Sequence, residues 1–379
     1  MCAQSNEHIE KIDAWRRGSF RYHCRLRSRG AGAETKEEEM KIWSMVACAA
    51  MIGAMLARCA HAPEAAKSAP AEAVAKPAAS FAVIPPNKDS DLKLYYADGR
   101  VINGATALER MQPDAELILW LAGNQFFAMD DVVAAFQKQA PGMDVGLITL
   151  PPGLILSAIE TGGWTYGGRS YPGRPDVYAS VNLEHLKKLK QLGLMRDYAT
   201  YMHNEMVLLV AKGNPKGIHG IADLKRGDVR TSMPNPVNEG IMQFYGRKVL
   251  ERHGLWQNIS AGKECFSCQT TANNWFTAVH HRETPDRVLA GTSDAGIVWA
   301  TEALEARRLG KSLDEVKLPP QDSLRDEVAY AIGSLAVGAR QAAAARYLAF
   351  LATPAAHAAY AKYGFVNATP EELTLKPIP

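Results

Sequence analysis

The stretch "VHHRETPDRVLAG" sets His280, His281 and Arg282 directly before Thr284-Pro285-Asp286, and "CFSC" (Cys265 to Cys268) lies a little upstream. Three chemistries suit these residue types: a metal held by thiolates and imidazoles, an acid/base cluster, or an anion seated on a helix N-terminus. The metal pattern is incomplete. Zinc sites of the Cys2His2 kind space their histidines about three to five residues apart so that both rings reach one ion, whereas adjacent histidines point apart. Arg282 suits an oxyanion or carboxylate, which a guanidinium grips through two parallel N–H bonds. Thr284 reads as an N-cap, Pro285 as the first helical residue and Asp286 as a first-turn acid. That places the basic side chains at a helix start, where free N–H groups and the helix dipole favour an anion. The alternative for all three is a solvated polar loop with one structural histidine. No Ser-His-Asp order, phosphate-binding loop or carboxylate pair stands out, so no enzyme, cofactor or metal site is expected.

The elements that must carry such a site begin at Leu117. "LILWLAGN" is a continuous apolar run ending in Gly-Asn, the pattern of a buried parallel strand feeding a loop. "AMDDVVAAFQKQAPG" follows as a helix with Val132, Val133 and Phe136 on one face and Pro-Gly as its stop. "DVGLITL" is a strand, "PPG" (Pro151 to Gly153) a loop, "LILSAIETGG" a helix and "DVYASVN" a strand. Between the last two lies an insert, "WTYGGRSYPGRP", whose Trp164, Tyr166, Arg169 and Tyr171 either lid a cleft or sit on the surface. The alternation predicts an α/β fold with doubly wound, mostly parallel sheets. Loops at the C-terminal strand ends line the ligand crevice of such sheets, which brings Asn124, Pro152 and Ser180 forward. A second unit opens at "EMVLLVAKGNP", where Met206, Leu208 and Val210 alternate as strand core. It continues through a strand from Val229 to Met233, the loop Pro234-Asn235-Pro236 and a helix entered through Asn238, Glu239 and Gly240. "SDAGIVWATEAL" reads as a strand returning to the first unit.

At 379 residues the chain suits two lobes, and a net charge of +3 gives no support for nucleic-acid binding. Met40-Lys41, the apolar run Ile42 to Leu56 and "ARCAHA" read as a secretory signal peptide over 40–62, too short for a membrane span. Residues 1–39 are then an upstream extension outside the mature protein. Arg58 stands where a lipoprotein signal needs a small residue, so release is expected rather than anchoring at Cys59. The Ala/Pro-rich stretch 63–84 is a linker, with the folded part starting near Phe81. Cys2, Cys24, Cys48 and Cys59 precede the expected cleavage, leaving Cys265 and Cys268. In an oxidising compartment that pair is expected as a structural disulfide, ahead of free thiols or a metal.

The phrases "PDVYASVN", "NEMVLLVAKGNP", "IADLKRGDVRTSMPNP", "GTSDAGIVWATEA" and "YAIGSLAVGARQAAAARYLAFLATPAAHAAYAKYGFV" occur in this order between about Leu117 and Val366. In their order and spacing the chain resembles the type II periplasmic solute-binding proteins of ABC importers, and within them the molybdate- and tungstate-binding branch. The resemblance implies a two-lobed fold with the ligand cleft between lobes: 85–203 as the first part of lobe 1, 204–299 as lobe 2, and 300–379 as the returning part of lobe 1. Hinges are implied near His203-Asn204 and Trp299-Ala300. It also implies a ligand set of Asn124, Gln125, Pro152, Gly153, Ser180, Asn235, Val237, Asn238 and Trp299, joined by His280, His281 and Arg282. Here the chain departs from the family pattern. Asn124 and Pro152 stand where serines are common, and Trp299 where a tyrosine is, so hydroxyl donors are lost and an indole N–H gained.

The function these readings imply is an extracytoplasmic, periplasmic receptor, expected as a monomer. It captures a small anionic solute, molybdate- or tungstate-like, by hinge closure and delivers it to the permease of an ABC transporter. The alternatives are a sensory or accessory anion-binding protein, and a carrier of a divalent metal or metal chelate using His280, His281 and Glu239.

Overall fold

The computed structural model describes residues 88–278 and 282–379, together with the short strand Ala82–Val83. The upstream extension, the signal peptide, Cys59, most of the linker, His280 and His281 lie outside the described residues. Ala82–Val83 pairs in parallel with Trp164 and Thr165, so strand structure reaches into the stretch expected as linker.

The first lobe is built on Leu117–Ala122, every residue of which is buried. It lies parallel to Val145–Leu150 on one side and to Val177–Ser180 on the other. Ala329–Ser334 and then Asp197–His203 extend the sheet antiparallel, and Leu92–Tyr95 with Val101–Asn103 closes the opposite edge. The helix Met129–Gln139 forms because Met129, Val132, Val133 and Phe136 recur with helical spacing and all are buried. Asp130 and Asp131 in its first turn complement the dipole, and Pro141-Gly142 stops it, Gly142 at a φ of 83°. Phe136 packs against Tyr347 and Phe350 at ring separations of 5.2 and 5.4 Å, a burial that stabilises by about 1.5–3 kcal/mol.

The second lobe centres on Met206–Ala211, antiparallel to both Ala295–Trp299 and Leu313–Lys317. Thr231–Met233 joins parallel to Ala295–Trp299 and to Asn274–Phe276, and Cys268–Thr271 forms the far edge. The first passage between lobes runs through Asn204 and Glu205. The return comes later than Trp299-Ala300. Ala295–Trp299 and Leu313–Lys317 both belong to the second sheet, and the chain re-enters the first only between Lys317 and Ala329. Sheet membership is set by long-range pairing partners, which an apolar run in the sequence does not name.

The 161–175 insert is a hairpin, Gly163–Tyr166 against Arg169–Pro172, turned by Gly167 and Gly168, both at positive φ. Trp164 is buried edge-on against Trp120, 5.7 Å away, and Arg169 pairs with Glu109. These groups hold the outer layer of the first lobe. Among the described residues no helix is long and apolar enough to cross a membrane.

Candidate functional site

Parallel strands of both sheets end in loops that meet at the junction of the lobes. After Leu117–Ala122 comes a tight turn, Gly123–Gln125, in which Asn124 and Gln125 are buried. The Asn124 amide lies 2.5 Å from the Tyr330 hydroxyl. Gln125 faces the core of its own lobe, accepting from Tyr360 and donating weakly to the Ala122 carbonyl. Pro152 is the first residue of the helix Pro152–Glu160 rather than part of a loop. That position suits proline, because the first turn's N–H groups lack helical partners in any case. The Pro152 carbonyl accepts from Tyr178 at 3.0 Å. At the end of Val177–Ser180 the Ser180 hydroxyl lies 3.1 Å from His185 Nδ1, which is also 3.0 Å from the Tyr178 hydroxyl. Burial, with Lys188 adding to it, pushes the His185 imidazole down to a pKa of about 4, so it is neutral at physiological pH.

The second lobe answers with Asn235 to Gly240. Asn235 is fully buried, and its side-chain oxygen accepts from the N–H groups of Val237 and Asn238 at 3.1 Å each. Its amide nitrogen donates to the Ala278 carbonyl, and its backbone N–H donates to the Thr277 hydroxyl. Two backbone donors the sequence offered to a solute are thus committed to Asn235, and the Val237 side chain is exposed. Asn238 is buried, with Oδ1 lacking a hydrogen-bond partner among the described residues.

The lobes touch closely here. The Gly153 N–H donates to the Asn238 carbonyl at 3.3 Å. A Cβ on Gly153 would stand 3.0 Å from Asn238 backbone atoms, and one on Gly240 would stand 2.6 Å from Val181 Cγ2. Both positions need glycine for this approach. Tyr245 of the second lobe donates to the Val181 carbonyl at 2.7 Å and packs edge-on against Trp299. Trp299 is itself buried, 6.0 Å from the Tyr330 ring.

Arg282 crosses the junction in the other direction. Its guanidinium donates to Asp91 of the first lobe at 2.6 Å and lies 3.7 Å over the Phe126 ring, with both charged side chains buried. The sequence offered Arg282 to the solute; here it engages a carboxylate of its own chain. Beside it a recess of about 80 Å³ is lined by Phe126 and Phe127 of the first lobe and by Pro285, Asp286, Glu302 and Lys311 of the second. Its charges are of mixed sign.

The helix expected from Thr284 starts earlier, as Glu283–Leu289 with Arg282 at its cap. Thr284 does not cap; its hydroxyl donates to the Ser232 carbonyl at 3.2 Å. Glu283 fastens the helix instead, accepting from the Trp275 indole and the Ala278 N–H. Cys265 and Cys268 are bonded to each other. Among the described residues no group of three metal-ligating side chains stands together.

Sequence reasoning missed Asp91, Tyr178, His185, Thr301 and Tyr330, and named Asn204 only as a hinge. Asn204 donates to Thr301 at 3.0 Å and to Tyr330 at 3.2 Å, tying the first interlobe passage to the site. Nothing in local spacing signals these contacts.

Two lobes, each presenting strand-end loops to a shared junction, define a binding fold. The chain belongs to the family described as bacterial extracellular solute-binding protein, whose model matches residues 117–366. It is 28% identical over 175 residues to the sulfate-binding protein of Synechococcus elongatus, covering 44% of this chain and 48% of the relative. To the molybdate-binding protein ModA of Mycobacterium bovis it is 25% identical over 190 residues, covering 50% of this chain and 62% of the relative. The chain thus spans about half to three-fifths of these curated relatives. Among solved structures, the periplasmic molybdate-binding protein of Azotobacter vinelandii superposes with a TM-score of 0.52 at 18% identity, covering 67% of this chain and 100% of that one. An ABC-transporter substrate-binding protein of Agrobacterium tumefaciens gives 0.54 at 15% identity, over 74% and 84% respectively. These likenesses establish the fold.

Proposed function

We propose that the protein is an extracytoplasmic receptor that takes one small tetrahedral oxyanion, of the sulfate, molybdate or tungstate type, between its lobes. It hands the anion to the permease of an ABC importer. The observation that carries this reading is the character of the buried strand-end groups: Asn124, Ser180 and Asn238 are neutral amides and a hydroxyl, drawn from both lobes. The nearby guanidinium of Arg282 engages Asp91. Neutral donors in a dry site hold a dianion without needing a formal countercharge, because the low dielectric strengthens each N–H or O–H dipole. The curated relatives that bind sulfate and molybdate support the same solute class. Binding rather than turnover is the chemistry such a site performs.

A thermal-shift panel on the full chain in chelator-treated buffer tests this, with sulfate, molybdate, tungstate, small carboxylates and divalent metals added separately. At about 100 times its dissociation constant a true solute stabilises by roughly 2.7 kcal/mol. Stabilisation by one of the tetrahedral oxyanions is the expected result. Stabilisation by divalent metals alone would overturn the reading and turn attention to His280 and His281.

A further inference from the structure

Cys265 and Cys268 close a loop with only Phe266 and Ser267 between them. The stabilisation that a disulfide gives through the unfolded chain grows with loop length, so this bond constrains little of the chain as a whole. Its consequences are local. Ser267 is held at a φ of 50°, in the left-handed region that a residue with a side chain disfavours. Phe266 and Ser267 are exposed, and both cysteines are half-buried against apolar core side chains. The loop is therefore open to solvent on one side, where a thiolate can approach the bond.

On its other side the loop is bonded to the cleft through one residue. Thr277 is fully buried and takes part in three hydrogen bonds that join different segments. Its carbonyl accepts the Ser267 N–H at 3.0 Å, and its own N–H donates to the Met233 carbonyl at 3.0 Å. Its hydroxyl accepts the Asn235 N–H at 3.2 Å, while the next carbonyl, of Ala278, accepts from the Asn235 side chain at 3.1 Å. Asn235 in turn holds the N–H groups of Val237 and Asn238. The contacts thus run without a break from the disulfide loop through Thr277 to the cleft loop. The strand Cys268–Thr271 is the sheet edge and pairs only with Asn274–Phe276, with Cys268 opposite Phe276. A change in the loop is therefore borne by the strand that leads into Thr277.

We infer that Cys265–Cys268 is a thiol–disulfide exchange site for a protein dithiol, and that its redox state sets the hold on the Asn235 loop through Thr277. The consequence for the solute rests on the function proposed above. A thiolate of the partner attacks one sulfur; the S–S bond breaks, a mixed disulfide forms, and the other cysteine leaves as a thiolate that takes up a proton. The partner's second thiolate then displaces the remaining cysteine. Two electrons pass to this chain, and the partner keeps the disulfide. Released from the bond, Ser267 relaxes out of the left-handed region, and its N–H lets go of the Thr277 carbonyl. The Asn235 turn loses part of its backing, and the cleft loop loosens. Reoxidation by a partner disulfide reverses each step.

The test compares the full chain with itself in two redox states, so no variant's folding decides it. Reduced thioredoxin serves as the protein dithiol, and alkylation followed by mass spectrometry reads the thiols at Cys265 and Cys268. The bond should be reduced in native buffer. In the reduced protein, amide hydrogen exchange at Ser267, Asn235, Val237 and Asn238 should quicken about tenfold, while Leu117–Ala122 keeps its protection. Calorimetric titration with sulfate and with molybdate should show about fivefold weaker binding after reduction, the size of one buried hydrogen bond. C265S/C268S should match the reduced protein and show no further response to dithiothreitol. Reduction by thioredoxin only after denaturant is added would overturn the exchange site. Unchanged exchange at Asn235, Val237 and Asn238, or affinities within twofold in the two states, would overturn the coupling to the cleft. A protein that binds no oxyanion in either state overturns the proposed function instead, while the exchange rates at those amides still decide this inference.

Discussion

The two lobes reach their shared junction by different physics. In the second lobe the cleft loop is organised locally: Asn235 gathers the N–H groups of Val237 and Asn238 within three residues of itself. In the first lobe each cleft-facing side chain is set by a buried partner, and Asn124 depends on Tyr330, 206 positions away. The second lobe's loop needs a correct turn set against Thr277 and Ala278 of the same lobe. The first lobe's needs the whole sheet assembled, because Tyr330 lies on the strand that enters after the second lobe is complete. The setting of Asn124 therefore depends on a strand that follows the second lobe, whereas the turn at Asn235 is held from within its own lobe and meets the first where Gly153 donates to the Asn238 carbonyl.

The contrast can be broken most forcefully where the lobes share a buried charge pair. D91A would leave the Arg282 guanidinium buried against Phe126 without this carboxylate, a change of about 3–5 kcal/mol in unfolding free energy by denaturant titration. The double variant D91L/R282M should recover most of that loss. If D91A unfolds at the wild-type midpoint, the pair does not hold the lobes together.

Next in size is a pH effect confined to the first lobe. His185 titrates near 4 in the folded protein, against about 6.5 when unfolded, so the unfolded chain binds the extra proton first. Its contribution is fully present above about pH 6.5 and is lost as pH falls through 4, amounting to at most about 3 kcal/mol. Comparing wild type with H185N at pH 7 and pH 4.5 isolates it, and equal losses in the two proteins would refute the assignment.

N235A sharpens the local side of the comparison. It leaves the Val237 and Asn238 N–H donors without their acceptor and should cost about 1–2 kcal/mol of stability together with weaker solute binding. Hydrogen exchange should report the disturbance in residues 234–240, with the first lobe's protection unchanged. T301V, removing one acceptor of Asn204 at the hinge, is the mildest change, about 1 kcal/mol, and should alter solute affinity more than N235A alters the first lobe.

The same contrast explains what was legible in the sequence. Local pattern gave the buried strand Leu117–Ala122 and the helix Met129–Gln139 with its Pro-Gly stop. The Asn235 loop could be picked out because its turn chemistry is written in "PNPVNEG". What depends on distant partners was not legible. The sheet membership of Ala295–Trp299, the engagement of Arg282 by Asp91 and the tyrosine networks behind Asn124 and Ser180 all follow from tertiary pairing. Thr284 looked like a helix cap by type, but the Ser232 carbonyl claimed its hydroxyl once the strand lay beside it.

The central claim is that neutral donors from both lobes hold a proton-free oxyanion. Calorimetric titration of the wild-type chain with sulfate and with molybdate, repeated in two buffers of different ionisation enthalpy, tests it most directly. The account predicts one anion bound per chain for at least one of the two, with the same heat in both buffers, because no proton moves. Absence of binding, or uptake of about one proton per anion, would contradict it; the second result would mean that the complex carries a proton that the account leaves out.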